Sequence, residues 1–130
     1  PFFGGRILPG NYPYTSESFL LQNDGGKFKD ITADILHGGK EIGMVSSALW
    51  TDFNNDGWHD LILVGEWMPI TIFKNIEGVS FEKVTNQALQ NSSGWWNSIA
   101  SGDFDKDGDS FPDADKDGEC TDWFDDDEWA

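Results

Sequence analysis

Short apolar runs separated by turn residues make up most of the first 85 positions, and this pattern predicts an all-β protein. Two such runs, at residues 18–22 and 27–32, flank Asn-Asp-Gly-Gly at residues 23–26. That turn composition suits the positive backbone φ of a tight β-hairpin. A further short strand is predicted within residues 1–8. Residues 1–32 therefore predict a first unit of three strands.

A complete unit of four strands is predicted at residues 45–85, after a linker loop at residues 33–44. The second of its strands is apolar at the consecutive positions 61–64. Because a half-exposed strand alternates between apolar and polar residues, a continuous apolar run indicates a strand covered on both faces. The chain is expected to turn at residues 66–69. The four strands are predicted at residues 45–51, 60–65, 70–75 and 80–85.

An internal repeat with a period of about 50 residues links the two units. Four short strands at such a period indicate the blades of a β-propeller, each of which needs neighbours to cover its faces. After a loop at residues 86–97, residues 98–109 are interpreted as the first strand of a further blade and its loop. The predicted fold class is all-β, with four-stranded antiparallel propeller-blade repeats that amount to about two blades of an incomplete propeller. The recurring positions are Asn23, Gly26, Phe28 and Thr32, which return as Asn75, Gly78, Phe81 and Thr85.

Residues 52–60, Asp-Phe-Asn-Asn-Asp-Gly-Trp-His-Asp, have the spacing of oxygen ligands that a calcium loop requires. Side-chain oxygens stand at the first, third, fifth and ninth positions, and a glycine at the sixth permits a sharp, left-handed turn. Calcium takes about 6–8 oxygens, so a short loop must direct several of them to one point. The alternative is a turn without a ligand, since Asp, Asn and Gly are common turn formers. The predicted ligands are Asp52, Asn54, Asp56, Trp58 and Asp60.

Negative charge is concentrated near the end of the chain, and it extends the metal prediction. The formal net charge is −16, and residues 101–130 contain eleven Asp and two Glu against two Lys. This many carboxylates oppose compaction unless cations neutralise them, and a disordered acidic tail is the alternative. Aspartates at alternate positions favour calcium as that cation, so residues 110–130 are interpreted as an acidic calcium-binding segment. The predicted ligands here and in the second loop are Asp103, Asp105, Asp107, Asp109, Asp113, Asp115, Asp117 and Asp122.

The loop at residues 52–60 and its flanking strands resemble an FG-GAP or VCBS-type repeat, and the similarity extends over residues 1 to about 109. Repeats of this type build the calcium-binding β-propellers of integrin α chains and of many secreted bacterial proteins. The aspartate ladder after Gly108 resembles, over about twenty residues, the thrombospondin type 3 repeat, in which calcium replaces a hydrophobic core. The resemblance implies a secreted or cell-surface location, structural calcium, and a non-catalytic role in adhesion or ligand binding. Since such propellers usually need about seven blades, the chain is either part of a longer propeller or a subunit that completes its edge strands with another copy.

Candidate partners follow from the aromatic residues and the loops. Trp67, Trp95 and Trp96 are candidates for stacking on the sugar rings of a glycan, and the alternative is that they are buried between blades. An extracellular protein is the other expected partner. Asn91 begins the glycosylation sequon Asn-Ser-Ser in a predicted loop. The alternative role, a structural subunit that forms homo-oligomers through its edge strands, would give a calcium-dependent series of oligomers in solution.

Composition and motif content argue against several classes of function. The negative charge opposes binding to nucleic acid or to an anionic membrane surface. The sequence has no run of about 18 apolar residues, so no insertion into a membrane is predicted. His37 and His59 are isolated, and the sequence has no Ser/His/Asp or Cys/His grouping. We therefore expect no enzymatic activity; a non-catalytic part of a secreted polysaccharide lyase or another hydrolytic enzyme is a further alternative.

Overall fold

The computed structural model describes residues 1–36 and 40–102, and this part of the protein is mostly β. Its strands are antiparallel and form two sheets, one with the order β1-β2-β3 and one with the order β4-β5-β6-β7, in which β8 also pairs with β5. The predicted all-β class with incomplete blade repeats is confirmed. His37 and the predicted ligands from Asp103 to Asp122 lie outside the described residues. The elements are β1 Phe2–Phe3, β2 Phe19–Asp24, β3 Lys27–Asp30, α1 Thr32–Ile35, β4 Met44–Thr51, β5 Asp60–Met68, β6 Thr71–Ile76, β7 Ser80–Lys83, α2 Gln87–Asn91 and β8 Gly94–Trp95.

The two predicted hairpins, β2-β3 and β6-β7, close with the same side-chain hydrogen bond. The Oδ1 atom of Asn23 accepts from the backbone amide of Gly26 at 3.0 Å, and Oδ1 of Asn75 accepts from the amide of Gly78 at 2.8 Å. An asparagine side chain that binds the backbone a few residues later stabilises a tight turn. The recurring Asn and Gly positions of the sequence therefore mark equivalent turns.

The hydrophobic core lies between the two sheets, with β5 at its centre. Leu61 and Leu63 of β5 are fully buried, and they pack in one cluster with Leu20 of β2 and Phe73 of β6. Val64, whose side chain alternates to the other face of β5, is also buried. The strand is therefore covered on both faces, as its continuous apolar run predicts.

Three local predictions are wrong. The linker at residues 33–44 contains most of α1, because Ile35 and the following Leu36 pack on the core and hold the turn in place. The loop at residues 86–97 contains α2 and β8; the helix is fixed by the buried Leu89, whose amide donates to Oδ1 of Asn86 at 2.7 Å. Residues 66–69 are not a simple turn, because β5 continues to Met68 and pairs there with β8.

Residues 98–102, predicted as the first strand of another blade, contain no strand. The first strand of a blade is held by hydrogen bonds to the second strand of the same blade, as β4 is held by β5. The sequence after Gly108 has no apolar run that could form such a partner. The acidic sequence after Gly108 therefore offers residues 98–102 no apolar partner strand.

Asp30, at the end of β3, is expected to make the stability of the protein vary with pH. Hydrogen bonds from the Thr32 hydroxyl, from Lys40 and from the Thr32 amide lower the pKa of Asp30 to about 2. Since an unfolded Asp has a pKa of about 3.9, ionised Asp30 stabilises the folded protein fully above about pH 4. This stabilisation is lost as the pH falls towards 2. The difference in unfolding free energy between wild type and Asp30→Asn should shrink over the same range in urea denaturation. Asp24→Asn, in the same hairpin, is the control, and the same pH response in both variants would contradict the assignment.

Candidate functional site

The loop at residues 52–59 connects β4 to β5, and its backbone turns back on itself through two left-handed residues. Thr51, the last residue of β4, pairs with Asp60, the first residue of β5. Asn55 has φ 54° and Gly57 has φ 87°, values that Asn tolerates and that Gly adopts freely. The glycine at the sixth position is therefore required by the course of the backbone, as the sequence predicts.

The aspartates of the loop accept hydrogen bonds from its own backbone. Oδ1 of Asp52 accepts from the amide of Asp56 at 3.1 Å, and Oδ2 accepts from Gly57 at 2.8 Å. Oδ1 of Asp56 accepts from the amide of Trp58 at 2.9 Å. Each carboxylate oxygen has more than one lone pair, so these bonds leave further acceptor capacity. The loop thus holds its carboxylates in fixed positions through its amides.

Asp60 is fully buried and ties the loop to the rest of the blade. Its Oδ2 accepts from the amide of Phe53 at 3.1 Å, and its Oδ1 accepts from the amide of Asn75 at 2.6 Å. Burial raises the pKa of Asp60 above its ordinary value, and the negative charges of Asp56 and Asp52 raise it further, against the lowering effect of these hydrogen bonds. Three carboxylates therefore lie close enough to repel one another, so a cation among them would relieve that repulsion.

Asn54 carries the observation that most directly concerns a ligand. Its Nδ2 donates to Oδ2 of Asp56 at 2.9 Å, whereas its Oδ1 is buried and has no hydrogen-bond partner. Among residues 1–36 and 40–102, no other buried side-chain oxygen or nitrogen lacks a hydrogen-bond partner. A buried acceptor without a partner costs about 1–3 kcal/mol, so such an atom requires an explanation.

The same loop does not bring a complete set of carboxylates to one point. Within the described ranges, no three His, Cys, Asp or Glu side chains form an arrangement that could hold a metal ion. Asp52 and Asp56 instead point towards the loop amides. The side chains of Asp52, Asn54, Asp56 and Asp60 nevertheless all offer oxygen atoms, the ligand type that calcium takes, and the Asn54 oxygen without a partner lies among them.

Trp58 and Asn75 connect the loop to the β6-β7 turn. A Cβ atom at Gly78 would lie 2.7 Å from Cζ3 of Trp58, so the indole packs against the turn where only glycine leaves room. Nδ2 of Asn75 donates to the carbonyl oxygen of His59 at 3.0 Å. The repeat pattern marks Asn75 as a turn residue, and its role in anchoring the loop is an additional finding. Lys74 lies 3.7 Å from Oδ2 of Asp56 and partly balances the loop's charge.

The three candidate tryptophans lie on the surface of the described part of the chain. Trp67 is 64% exposed and Trp95 is 56% exposed, and their ring centroids are 5.3 Å apart with planes inclined by 59°. β8 brings them together, since Trp95 pairs with Glu66 of β5. Trp96 follows with its indole donating to the carbonyl of Ser92 at 2.9 Å. Within the described residues, none of the three is buried between the two sheets, and whether a neighbouring blade covers them stays a prediction.

A cleft of about 370 Å³ lies beside Trp67. Of the residues that line it, the sequence pattern marks only Trp67 as a candidate binding residue. The indole Nε1 of Trp67 donates to the hydroxyl of Tyr12 at 2.7 Å. Glu66 is 2% exposed, and its Oε1 accepts from Nε of Arg6 at 2.8 Å and also from Nη2. The only signal in the sequence is an aromatic cluster, Tyr-Pro-Tyr, in a Pro- and Gly-rich connection. The lining includes Tyr12, Pro13, Thr15, Met44, Glu66 and Trp67.

The sequon residue Asn91 is exposed at the end of α2. The next residue, Ser92, is engaged with the backbone: its hydroxyl donates to the carbonyl of Leu89 at 2.6 Å and accepts from the amide of Ile70 at 2.8 Å. Asn91 is therefore accessible, and whether it carries a glycan stays a prediction.

Comparison with protein families identifies the segment that begins at the loop. Residues 52–110 match the family model of the FG-GAP-like repeat. The matched region starts at the first residue of the Asp loop and includes β5 to β8. Comparisons with curated proteins and with solved structures found no match. The resemblances to VCBS and thrombospondin type 3 repeats stay predictions.

An FG-GAP-like repeat indicates an integrin-like β-propeller module, and such repeats are typical of extracellular proteins. In the described ranges, no helix has the length and apolar character needed to cross a membrane. The repeat match and the two packed antiparallel sheets agree on the architecture.

Proposed function

We propose that the chain is a non-catalytic, calcium-stabilised repeat module of an extracellular propeller-type protein that acts in adhesion or ligand binding. The observation that carries the calcium assignment is the buried Oδ1 of Asn54, which lacks a partner inside a loop of oxygen donors. The FG-GAP-like match, which begins at Asp52, supports the extracellular location. The exposed tryptophan pair supports a role in ligand binding.

The residues that would hold calcium are Asp52, Asn54, Asp56 and Asp60, with Trp58 at the seventh position of the loop. A bound ion would supply the missing partner of Asn54 and would neutralise the mutual repulsion of the carboxylates. Its effect is structural, because the loop joins the end of β4 to the start of β5. Asp60, already held by two backbone amides, would transmit that restraint to β6 through Asn75.

Thermal unfolding of Asn54→Ala with and without calcium tests the assignment. Without calcium, the substitution removes an unsatisfied buried acceptor, so the melting temperature should stay within a few degrees of the wild-type value. With calcium, the wild type should gain about 2.7 kcal/mol when the ion is present at 100 times its dissociation constant. Asn54→Ala should lose that gain. Asn54→Ala should therefore barely change the thermal stability in the presence of a chelator, and it should lower the stability in the presence of calcium.

Aspartates beyond the described residues are also predicted ligands, so the test needs a local readout. The backbone amide of Gly57, observed by NMR during calcium titration, reports on this loop because it is hydrogen-bonded to Asp52. Asp24→Asn, which removes a carboxylate from the other hairpin, is the control and should leave the titration unchanged. An unmoved Gly57 resonance, or the same calcium gain in Asn54→Ala as in wild type, would refute the assignment.

A further inference from the structure

The cleft beside Trp67 combines aromatic walls with a buried, half-satisfied carboxylate. Its volume of about 370 Å³ lies in the range of small-ligand pockets. Glu66 lines it and is almost fully buried, and Nε and Nη2 of Arg6 both donate to its Oε1. In the part of the chain that the structure describes, the side-chain hydrogen bonds of Glu66 are made by Oε1, and Oε2 is not among the buried atoms that lack a partner, so it is accessible from the cleft. One acceptor is therefore available to a molecule in the cleft.

The aromatic groups are fixed before any ligand arrives. The indole N–H of Trp67 is held by the Tyr12 hydroxyl, and the Trp67 ring packs against the ring of Trp95. The loop that carries Tyr12 is itself braced, since the amide of Tyr14 donates to the carbonyl of Asn11 at 2.7 Å and the amide of Asn11 donates to Leu8 at 3.0 Å. Ordering these groups in advance lowers the entropic cost of binding.

Trp67 also has a backbone conformation that a large side chain rarely adopts. Its φ is 57°, at the point where the pairing of β5 with β8 is irregular. Strained positions of this kind persist where the surrounding structure holds them, and they are common at ligand sites. Here the conformation directs the indole outwards, where it is 64% exposed.

The charges of the cleft select the class of ligand. An anionic ligand would face Glu66 and a chain of net charge −16. A cation would meet a carboxylate that Arg6 already neutralises. A neutral molecule with an apolar face and several hydroxyl groups fits, because its ring can stack on an indole while a hydroxyl donates to Oε2 of Glu66.

We propose that the cleft formed by Tyr12, Glu66 and Trp67 binds a neutral saccharide. Trp67 provides the stacking surface, Glu66 accepts from a hydroxyl group, and Arg6 holds that carboxylate in place. Tyr12 acts by positioning Trp67. This inference gives a ligand class to the binding role in the proposed function, and it does not depend on the calcium loop.

Titration of the full chain with cellotriose, chitotriose and mannotriose, followed by NMR of the Trp67 indole N–H, tests the proposal. At least one of these should shift that resonance, whereas choline and trigalacturonate should not. Calorimetric titration, which does not use the Trp67 indole as its probe, should show that Trp67→Ala weakens binding by about tenfold, the loss expected for one stacking contact. Trp67→Tyr should recover part of the affinity, and Trp50→Phe, an aromatic change on β4, should have no effect.

Each outcome separates this proposal from the calcium assignment. If none of the three saccharides binds, or if Trp67→Ala binds as tightly as wild type, the saccharide site is wrong even where Gly57 still responds to calcium. A response to choline alone would replace the ligand class with a cation and overturn the proposal. Saccharide binding without any calcium response at Gly57 would refute the calcium loop and leave the cleft intact. Unchanged thermal unfolding of Trp67→Ala serves as the check that the variant is folded.

Discussion

Replacing Phe73 with alanine is expected to lower the free energy of unfolding by about 3–5 kcal/mol. Phe73 lies on β6, is 1% exposed, and packs in the cluster that joins the two sheets. The loss combines the transfer energy of the ring with the cost of the cavity that it leaves, because neighbours such as Leu61 are held in place by strand pairing. Urea denaturation followed by far-UV circular dichroism measures the change.

Two further variants keep the test interpretable if Phe73→Ala does not fold. Phe73→Leu keeps most of the apolar volume and should cost less than the alanine substitution. Val79→Ala, at a residue that is 73% exposed in the β6-β7 turn, should change stability by about 0.5 kcal/mol or less. A loss at Phe73→Ala as small as that at Val79→Ala would show that the core is not the cluster between the sheets.

The hairpins could be predicted because their determinants are local. Asn23 and Gly26 act within one turn, as do Asn75 and Gly78, so the residues that specify each turn stand next to each other in the sequence. The continuous apolar run of β5 is equally local, and it predicts a strand with two covered faces. These features cover most of the two sheets.

The elements that escaped prediction depend on contacts between distant residues. β8 has two residues and exists through its pairing with Glu66 and Met68 of β5. α1 is a single turn held by the burial of Leu36 and of Thr32. No propensity or period marks such short elements, because their stability comes from the surface on which they pack.

The two candidate sites also differ in whether their determinants lie close together in the sequence. The spacing of oxygen residues places Asp52, Asn54 and Asp56 in one loop, and they do lie together, whereas the anchoring of that loop by Asn75 needs the folded blade. The cleft joins Tyr12 to Trp67 across most of the first half of the chain. A sequence pattern can therefore indicate a candidate metal loop of nine residues, while a cleft assembled by the tertiary fold becomes visible only in the structure.

Thr32→Val is expected to lower the free energy of unfolding by about 1–3 kcal/mol, although the two side chains have nearly the same shape. The Thr32 hydroxyl is fully buried, accepts from the amide of Leu20 at 2.8 Å, and donates to Oδ1 of Asp30 at 2.6 Å. Valine leaves the Leu20 amide without an acceptor inside β2, and it removes the bond that does most to lower the pKa of Asp30. Urea denaturation measures the first effect, and an NMR titration of the Asp30 carboxylate measures the rise in its pKa.

The matched control is Thr85→Val, at the repeat-equivalent threonine, which is exposed and should change stability by about 0.5 kcal/mol or less. If both substitutions cost the same, the recurring threonine acts through the local conformation of the backbone; if only Thr32→Val is costly, its hydroxyl holds β2 and β3 together in the first unit.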